Sequence, residues 1–186
     1  MTENFYMACL DLSGRRCVVV GGGSVGYEKA AGLATCGAAV TVVSPELEPS
    51  FAELEVEWRQ DRYERSDLDG AFLVIAATSD RAVNESVSRD AEARGMLCNV
   101  ADVPELCNFI LPAVHREGPI AVAVSTGGAS PALAKRLRSQ IAELVRPEHA
   151  DLAEELRSLR PEVKERFGTY EERRDYFEEL VTERLA

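Results

Sequence analysis

The chain has 186 residues, 46% of them hydrophobic and 28% charged, which fits a soluble globular protein with a sizeable core, one domain with an appendage. A formal charge of −11 would repel nucleic acid and anionic lipid, and no apolar run approaches the length of a bilayer span, so neither a nucleic acid nor a membrane is expected as a partner. The first ten residues have no basic flank and contain Glu3, so they do not read as a secretory signal, and a cytoplasmic location is the expectation.

Arg15-Arg16-Cys17-Val18-Val19-Val20 ends in apolar β-formers stopped by glycines, the mark of a buried parallel strand. Residues 24–36 have helical spacing, with Val25, Ala30, Leu33 and Ala34 available for one face and Gly37 as the stop. Val40-Thr41-Val42-Val43 predicts the second strand. Residues 55–58 alternate weakly and predict a third, and Phe72-Leu73-Val74-Ile75-Ala76 predicts a fully buried one. Val83, Val87 and Ala91, four apart, predict a helix over 81–94 that Gly95 closes, followed by a strand over 96–100. Strands alternating with helices imply a Rossmann-like, doubly wound α/β fold over residues 1–112, a parallel sheet with helices on both faces and right-handed crossovers.

After Pro112 the texture changes. His115-Arg116-Glu117-Gly118-Pro119 reads as a turn, Ile120-Ala121-Val122-Ala123-Val124 as a strand, and residues 125–129 as a second turn. Ser130 stands at an N-cap with Pro131 at the first helical position, and the helix stops before Pro147. From 148 onward everything is helical, with breaks expected near Pro161 and Gly168. Three segments follow: 1–112, a small α+β segment over 113–146, and a helical segment over 147–186.

The five cysteines are an odd number with no C-x-x-C pair, and His115 and His149 lie far apart. A disulfide framework and a metal site are therefore not expected, and most of the thiols should be small buried side chains. The charge is uneven. Residues 113–146 carry Arg116, Lys135, Arg136, Arg138 and Arg146 against Glu117 and Glu143, a locally basic stretch in an acidic chain that fits either an anion site or a solvated helix face.

Gly21-Gly22-Gly23-Ser24-Val25-Gly26 contains G-x-G-x-x-G at Gly21, Gly23 and Gly26. It follows a strand and opens a helix, the context in which this pattern binds a dinucleotide. Gly21 permits the turn, Gly23 lets a pyrophosphate approach the backbone, and Gly26 lets helix and strand pack closely. The pyrophosphate would rest on the helix N-terminus beside Ser24 and Val25. The second strand ends at Ser44-Pro45-Glu46, with Ser44 where a ribose-binding acid usually stands and Glu46 within reach of a ribose hydroxyl. The next arginine is Arg59, so NAD is expected over NADP. Thr78, after the fourth strand, is a further cofactor contact, while Ser79 or Asp80 fits equally well as a cap for the next helix.

Asp102 follows the fifth strand, where a reacting group belongs. It is either the base that takes a proton, with burial raising its pKa, or a turn cap before Pro104. His115 is the other titratable candidate, either catalytic or structural. Ser125, Thr126, Gly127 and Gly128 feed a helix whose first turns carry Lys135, Arg136 and Arg138, and together they form an anion-ready place for a substrate with several carboxylates.

The glycine run with Lys29, Val74-Ile75-Ala76-Ala77-Thr78-Ser79-Asp80, Asn99-Val100-Ala101-Asp102, and Pro104-Glu105-Leu106-Cys107-Asn108-Phe109-Ile110-Leu111-Pro112 resemble the precorrin-2 dehydrogenase and sirohydrochlorin ferrochelatase family. So do Ser125-Thr126-Gly127-Gly128-Ala129-Ser130-Pro131 and Ala134-Lys135-Arg136-Leu137. The resemblance covers residues 8–146 and implies NAD-dependent oxidation of precorrin-2 to sirohydrochlorin. It also implies a homodimer built largely from the segment after Pro112, and Asp102 as the principal catalytic candidate. Some members also insert ferrous iron to give siroheme and others only dehydrogenate; the fused enzymes add a methyltransferase for which this chain has no room. The competing reading is an NAD(H)-binding redox sensor that signals through its acidic helical tail, with Leu152, Leu156 and Leu159 on one face.

Overall fold

The computed structural model describes residues 5–185; Ala186 and residues 1–4, among them the Glu3 that argues against a secretory signal, lie outside the described residues. The chain divides into two compact units, Phe5–Leu111 and the residues from Pro112 onward.

In the first unit β1 (Arg16–Val20), β2 (Ala39–Val43), β3 (Glu57–Arg59), β4 (Leu73–Ala76) and β5 (Leu97–Val100) form one parallel sheet in the order β3-β2-β1-β4-β5. Its central strands are valine-rich without alternation because both faces are covered. Val18, Val20, Val74 and Ala76 pack with Val87 and Ala91 of α2 (Arg81–Glu92). The alternate residues Cys17, Val19, Leu73 and Ile75 pack with Ala30 and Leu33 of α1 (Ser24–Thr35). The expected doubly wound architecture is therefore present. The third strand lies slightly later than its weak alternation indicates, at Glu57–Arg59, where it pairs with Thr41–Val43 of β2.

In the second unit β6 (Ala113–Glu117) and β7 (Ile120–Val124) form an antiparallel pair, with α3 (Pro131–Leu144), α4 (Pro147–Arg166) and α5 (Tyr170–Arg184) following. Two sequence expectations fail here. His115, Arg116 and Glu117 belong to a strand, and the turn is only Gly118-Pro119, with Gly118 at φ +53°. Polar side chains at the half-buried positions of a two-stranded sheet, His115 and Glu117 among them, hide the apolar alternation that marks a strand. Pro161 does not break the C-terminal helix but lies inside α4. The carbonyl it leaves without an amide belongs to exposed Arg157, where water can satisfy it, while Leu152 and Val163 anchor the helix on either side. The break near Gly168 is present: α4 ends at Arg166, and Thr169 opens α5 through a capping box with Glu172. No helix among the described residues is long and apolar enough to cross a membrane.

Candidate active site

The register of the sheet sets the site. Val20 stands beside Val43 and Ala76, and Ala76 beside Val100, so β1, β2, β4 and β5 end level with one another. The loops that begin at Gly21, Ser44, Ala77 and Ala101 therefore leave one edge side by side. The chain order reverses between β1 and β4, and such a switch point opens a crevice at the carboxyl ends of the strands.

Within the glycine loop, Gly21 has φ +120°, and a Cβ there would stand 2.5 Å from the Ala77 carbonyl oxygen. A Cβ on Gly26 would stand 2.1 Å from the Gly21 carbonyl oxygen, so that glycine lets α1 close onto β1. Gly23 differs: a Cβ there would meet nothing within 4 Å. The space above it is open, as a pyrophosphate requires. Gly23 is the N-cap of α1, whose first turn has neither a side-chain cap nor an acidic residue, so its amide groups are available to an anion. Ser24 and Val25 flank this opening and are exposed. These features fit a bound dinucleotide, which would supply the site with a hydride acceptor.

Gly22, to which the sequence pattern assigns no task, is as constrained as its neighbours, since a Cβ would stand 2.0 Å from the Glu46 carbonyl oxygen. The Glu48 amide donates to the Gly22 carbonyl at 2.8 Å, so the 44–48 loop is fastened to the glycine loop. The indole of Trp58 donates to the Ser44 carbonyl at 2.9 Å from the other side. Ser44 is half-buried, and Pro45 and Glu46 are exposed at the rim. Arg59 is engaged by Asp61, Glu64 and Asp67.

Asp80 caps α2, accepting from the amides of Ala82 and Val83 at 2.9 and 3.3 Å. Thr78 has a different task. Its hydroxyl lies 2.8 Å from Asn84 Oδ1, and Asn84 Nδ2 donates back to the Thr78 carbonyl at 2.9 Å. Buried Asn84, to which no motif spacing assigns a task, thus fixes the turn that faces Gly21.

Asp102 lies on the adjoining loop and is the one non-glycine residue with positive φ among the described residues, at +60°. It is exposed, so side chains of its own unit do not supply the burial that the sequence reading asks for. Below it, the Cys107 thiol lies 3.1 Å from the Val100 nitrogen, 3.3 Å from the Val100 oxygen and 3.4 Å from the Val103 oxygen. Asn108 holds the same segment along β5, accepting from the Cys98 amide and donating to the Met96 carbonyl, both at 2.8 Å.

The remaining candidates belong to the second unit. His115 pairs with Val122 across the hairpin, and its Nε2 is buried without a hydrogen-bond partner. In the 125–130 turn the hydroxyls are occupied: Ser125 accepts from the Gly127 amide at 3.2 Å, and Thr126 accepts from the Ser130 amide at 3.0 Å. Gly127 and Gly128 have φ +60° and +83°, and Ser130 caps α3 through the Leu133 amide. Lys135 and Arg136 are exposed, whereas Arg138 is half-buried with its Nε unpartnered. At about 100° of rotation per residue, Lys135 and Arg138 are i,i+3 neighbours on one face of α3, and Arg136 is turned away from them. Leu133, Leu137 and Leu144 share another face and are 50%, 38% and 72% exposed.

Residues 8–113, more than half of the chain, match the family described as putative NAD(P)-binding. Residues 117–144 match the central region of sirohaem biosynthesis proteins, and residues 148–186 the sirohaem synthase dimerisation region. The chain belongs to the family described as putative NAD(P)-binding. Among the curated family relatives, it is 45% identical over 175 residues to the siroheme synthase of Methylobacillus flagellatus, covering 92% of this chain and 38% of that one. It is 41% identical over 186 residues to the siroheme synthase of Chromobacterium violaceum, covering 98% and 40%. The chain thus spans about two fifths of the length of these curated relatives. Among solved structures it resembles SirC, a precorrin-2 dehydrogenase, at 28% identity and a TM-score of 0.81, over 98% of this chain and 93% of that one. Within this family frame, the described residues contain no group of three His, Cys, Asp or Glu side chains that could hold a metal ion.

Proposed function

We propose that the protein oxidises precorrin-2 to sirohydrochlorin, with NAD as hydride acceptor and Asp102 as proton acceptor. The observation that carries this reading is the level end of the sheet, where the open, uncapped helix N-terminus at Gly23 follows β1 and the carboxylate of Asp102 follows β5. β5 is two strands from β1, about 10 Å at the usual strand spacing. A nicotinamide extended from the pyrophosphate site covers that span. Likeness to SirC along nearly the whole of both chains supports the substrate assignment. The three carboxylates around Arg59 favour NAD, because no free cation in the first unit's rim loop awaits a 2′-phosphate.

On this reading residues 1–112 hold the cofactor. Residues 113–146 contribute to substrate binding and the dimer, with the turn at Gly127 and Gly128 and the cations Lys135, Arg136 and Arg138 offered to substrate carboxylates. Residues 147–186 brace the dimer. The match to a dimerisation region and the exposed leucines of α3 support a homodimer. On this reading ferrous iron is a second substrate, by likeness to the siroheme synthase relatives, and Asp102 would receive displaced macrocycle protons.

Mixing the protein with precorrin-2 and NAD is expected to yield sirohydrochlorin and NADH in step, followed by absorbance. Tight NADH binding without turnover would instead favour the redox-sensor reading. Ferrous iron added to sirohydrochlorin tests the second activity, and equal rates with and without protein exclude it. Light scattering is expected to give about twice the 20.4 kDa chain mass, and a mass of one chain overturns the dimer.

A further inference from the structure

β5 is the edge strand of its sheet, so its outward amide groups have no neighbouring strand to bond. Two consecutive side chains take that place. Asn108 Oδ1 accepts from the Cys98 amide, and Cys107 Sγ accepts from the Val100 amide two residues further on. The thiol also lies within hydrogen-bonding distance of the carbonyls of Val100 and Val103, the two ends of the turn that carries Asp102. The turn's own closure is long, with the Val103 amide 3.3 Å from the Val100 oxygen. Its third residue holds the left-handed conformation that disfavours most side chains. The post itself is fixed, because Asn108 ties the segment to β5 and the Ser88 hydroxyl donates to the Leu106 carbonyl at 2.8 Å.

We propose that Cys107 is the positioning residue for Asp102: its thiol grips both ends of the 100–103 turn and so fixes the direction in which the carboxylate meets the substrate. The inference rests on the reading of Asp102 as proton acceptor. Burial holds the thiol above its ordinary pKa, so it keeps the proton that a carbonyl must receive. A thiolate could accept from Val100 but donate to neither carbonyl. The same burial argues against a nucleophilic task, which needs the thiolate.

The test compares Cys107→Ala, Cys107→Ser and Asp102→Asn in the full chain, reading kcat, the KM for NAD, NADH binding by fluorescence, and the pH profile. Cys107→Ala is expected to bind NADH as the wild type does and to lose about tenfold to hundredfold in kcat, the scale of a misplaced catalytic group. The acidic limb of its pH profile is expected to move. Cys107→Ser, which still donates and accepts, recovers most of the rate. A folded Cys107→Ala with wild-type kcat and pH profile overturns the proposal, as does a Cys107→Ser no better than Cys107→Ala. If Cys107→Ala does not fold, Cys107→Ser and the wild type decide, since Val100 must show slow amide exchange and an unprotected Val100 amide refutes the grip. Full turnover in Asp102→Asn would instead remove the reading of Asp102 itself, a result distinct from failure of the cysteine arm alone.

Discussion

Three glycines of one loop meet three different surroundings, and alanine tells them apart. Gly21→Ala and Gly26→Ala drive a methyl group into backbone oxygens and are expected to lower stability by about 1–3 kcal/mol each, measured by urea unfolding. Gly23→Ala meets no atom and keeps an accessible backbone, φ −85° and ψ −174°, so it costs less than about 1 kcal/mol. Its methyl occupies the anion's approach, and NADH affinity is expected to fall at least about tenfold, a loss of 1.4 kcal/mol or more. At Asp102 the order reverses. Asparagine tolerates the left-handed backbone, so Asp102→Asn keeps its fold and NADH affinity while turnover falls about 10²–10⁴-fold, the usual worth of a positioned base. Asp102→Gly stays within about 1 kcal/mol of wild-type stability, since relief of the left-handed strain offsets the entropy of glycine, and is equally inactive. The places of Gly21, Gly23, Gly26 and Asp102 beyond the strand ends were legible in the sequence because each stands at a fixed offset from a strand end. Gly22, Asn84 and Cys107 were not, because their partners lie on other loops and no spacing within one segment encodes such a contact.

At the scale of elements, the buried valine strands and the two crossover helices could be read directly, since burial on both faces leaves an uninterrupted apolar run and the helices keep a four-residue spacing. The hairpin strand Ala113–Glu117 could not, because its inward positions include a histidine and a glutamate. The helix through Pro161 was misjudged for a different reason. A proline removes one hydrogen bond and crowds the preceding turn, but burial of Leu152 and Val163 on either side outweighs that penalty. The penalty is still present in the native state. Pro161→Ala is therefore expected to raise stability by about 1–3 kcal/mol, with the loss of proline's restriction of the unfolded chain limiting the gain. No gain in unfolding midpoint would mean that the helix is already relaxed at this position.

For the molecule as a whole, the acidity and the basic middle segment are properties of the sequence itself, whereas the turning of Arg136 away from the neighbours Lys135 and Arg138 follows from the phase of α3. Burial pushes the thiols of Cys17 and Cys98 up to about 11 from an ordinary 9.0. The folded state therefore binds those protons more tightly than the unfolded chain. This stabilisation is complete below pH 9 and is lost as pH rises toward 11, at a cost of roughly 2 kcal/mol per thiol. Urea midpoints at pH 8 and pH 10.5 measure the decline, and mutation of both cysteines to alanine should flatten it. The fastening of the 44–48 loop to Gly22 bears on how the nucleotide arrives. Both walls of its seat are locked in place beforehand, so capture has no segment to order and little freedom to surrender. Mixing protein with NADH in a stopped-flow instrument should give one bimolecular phase whose rate climbs linearly with concentration, without the plateau that a slow rearrangement imposes.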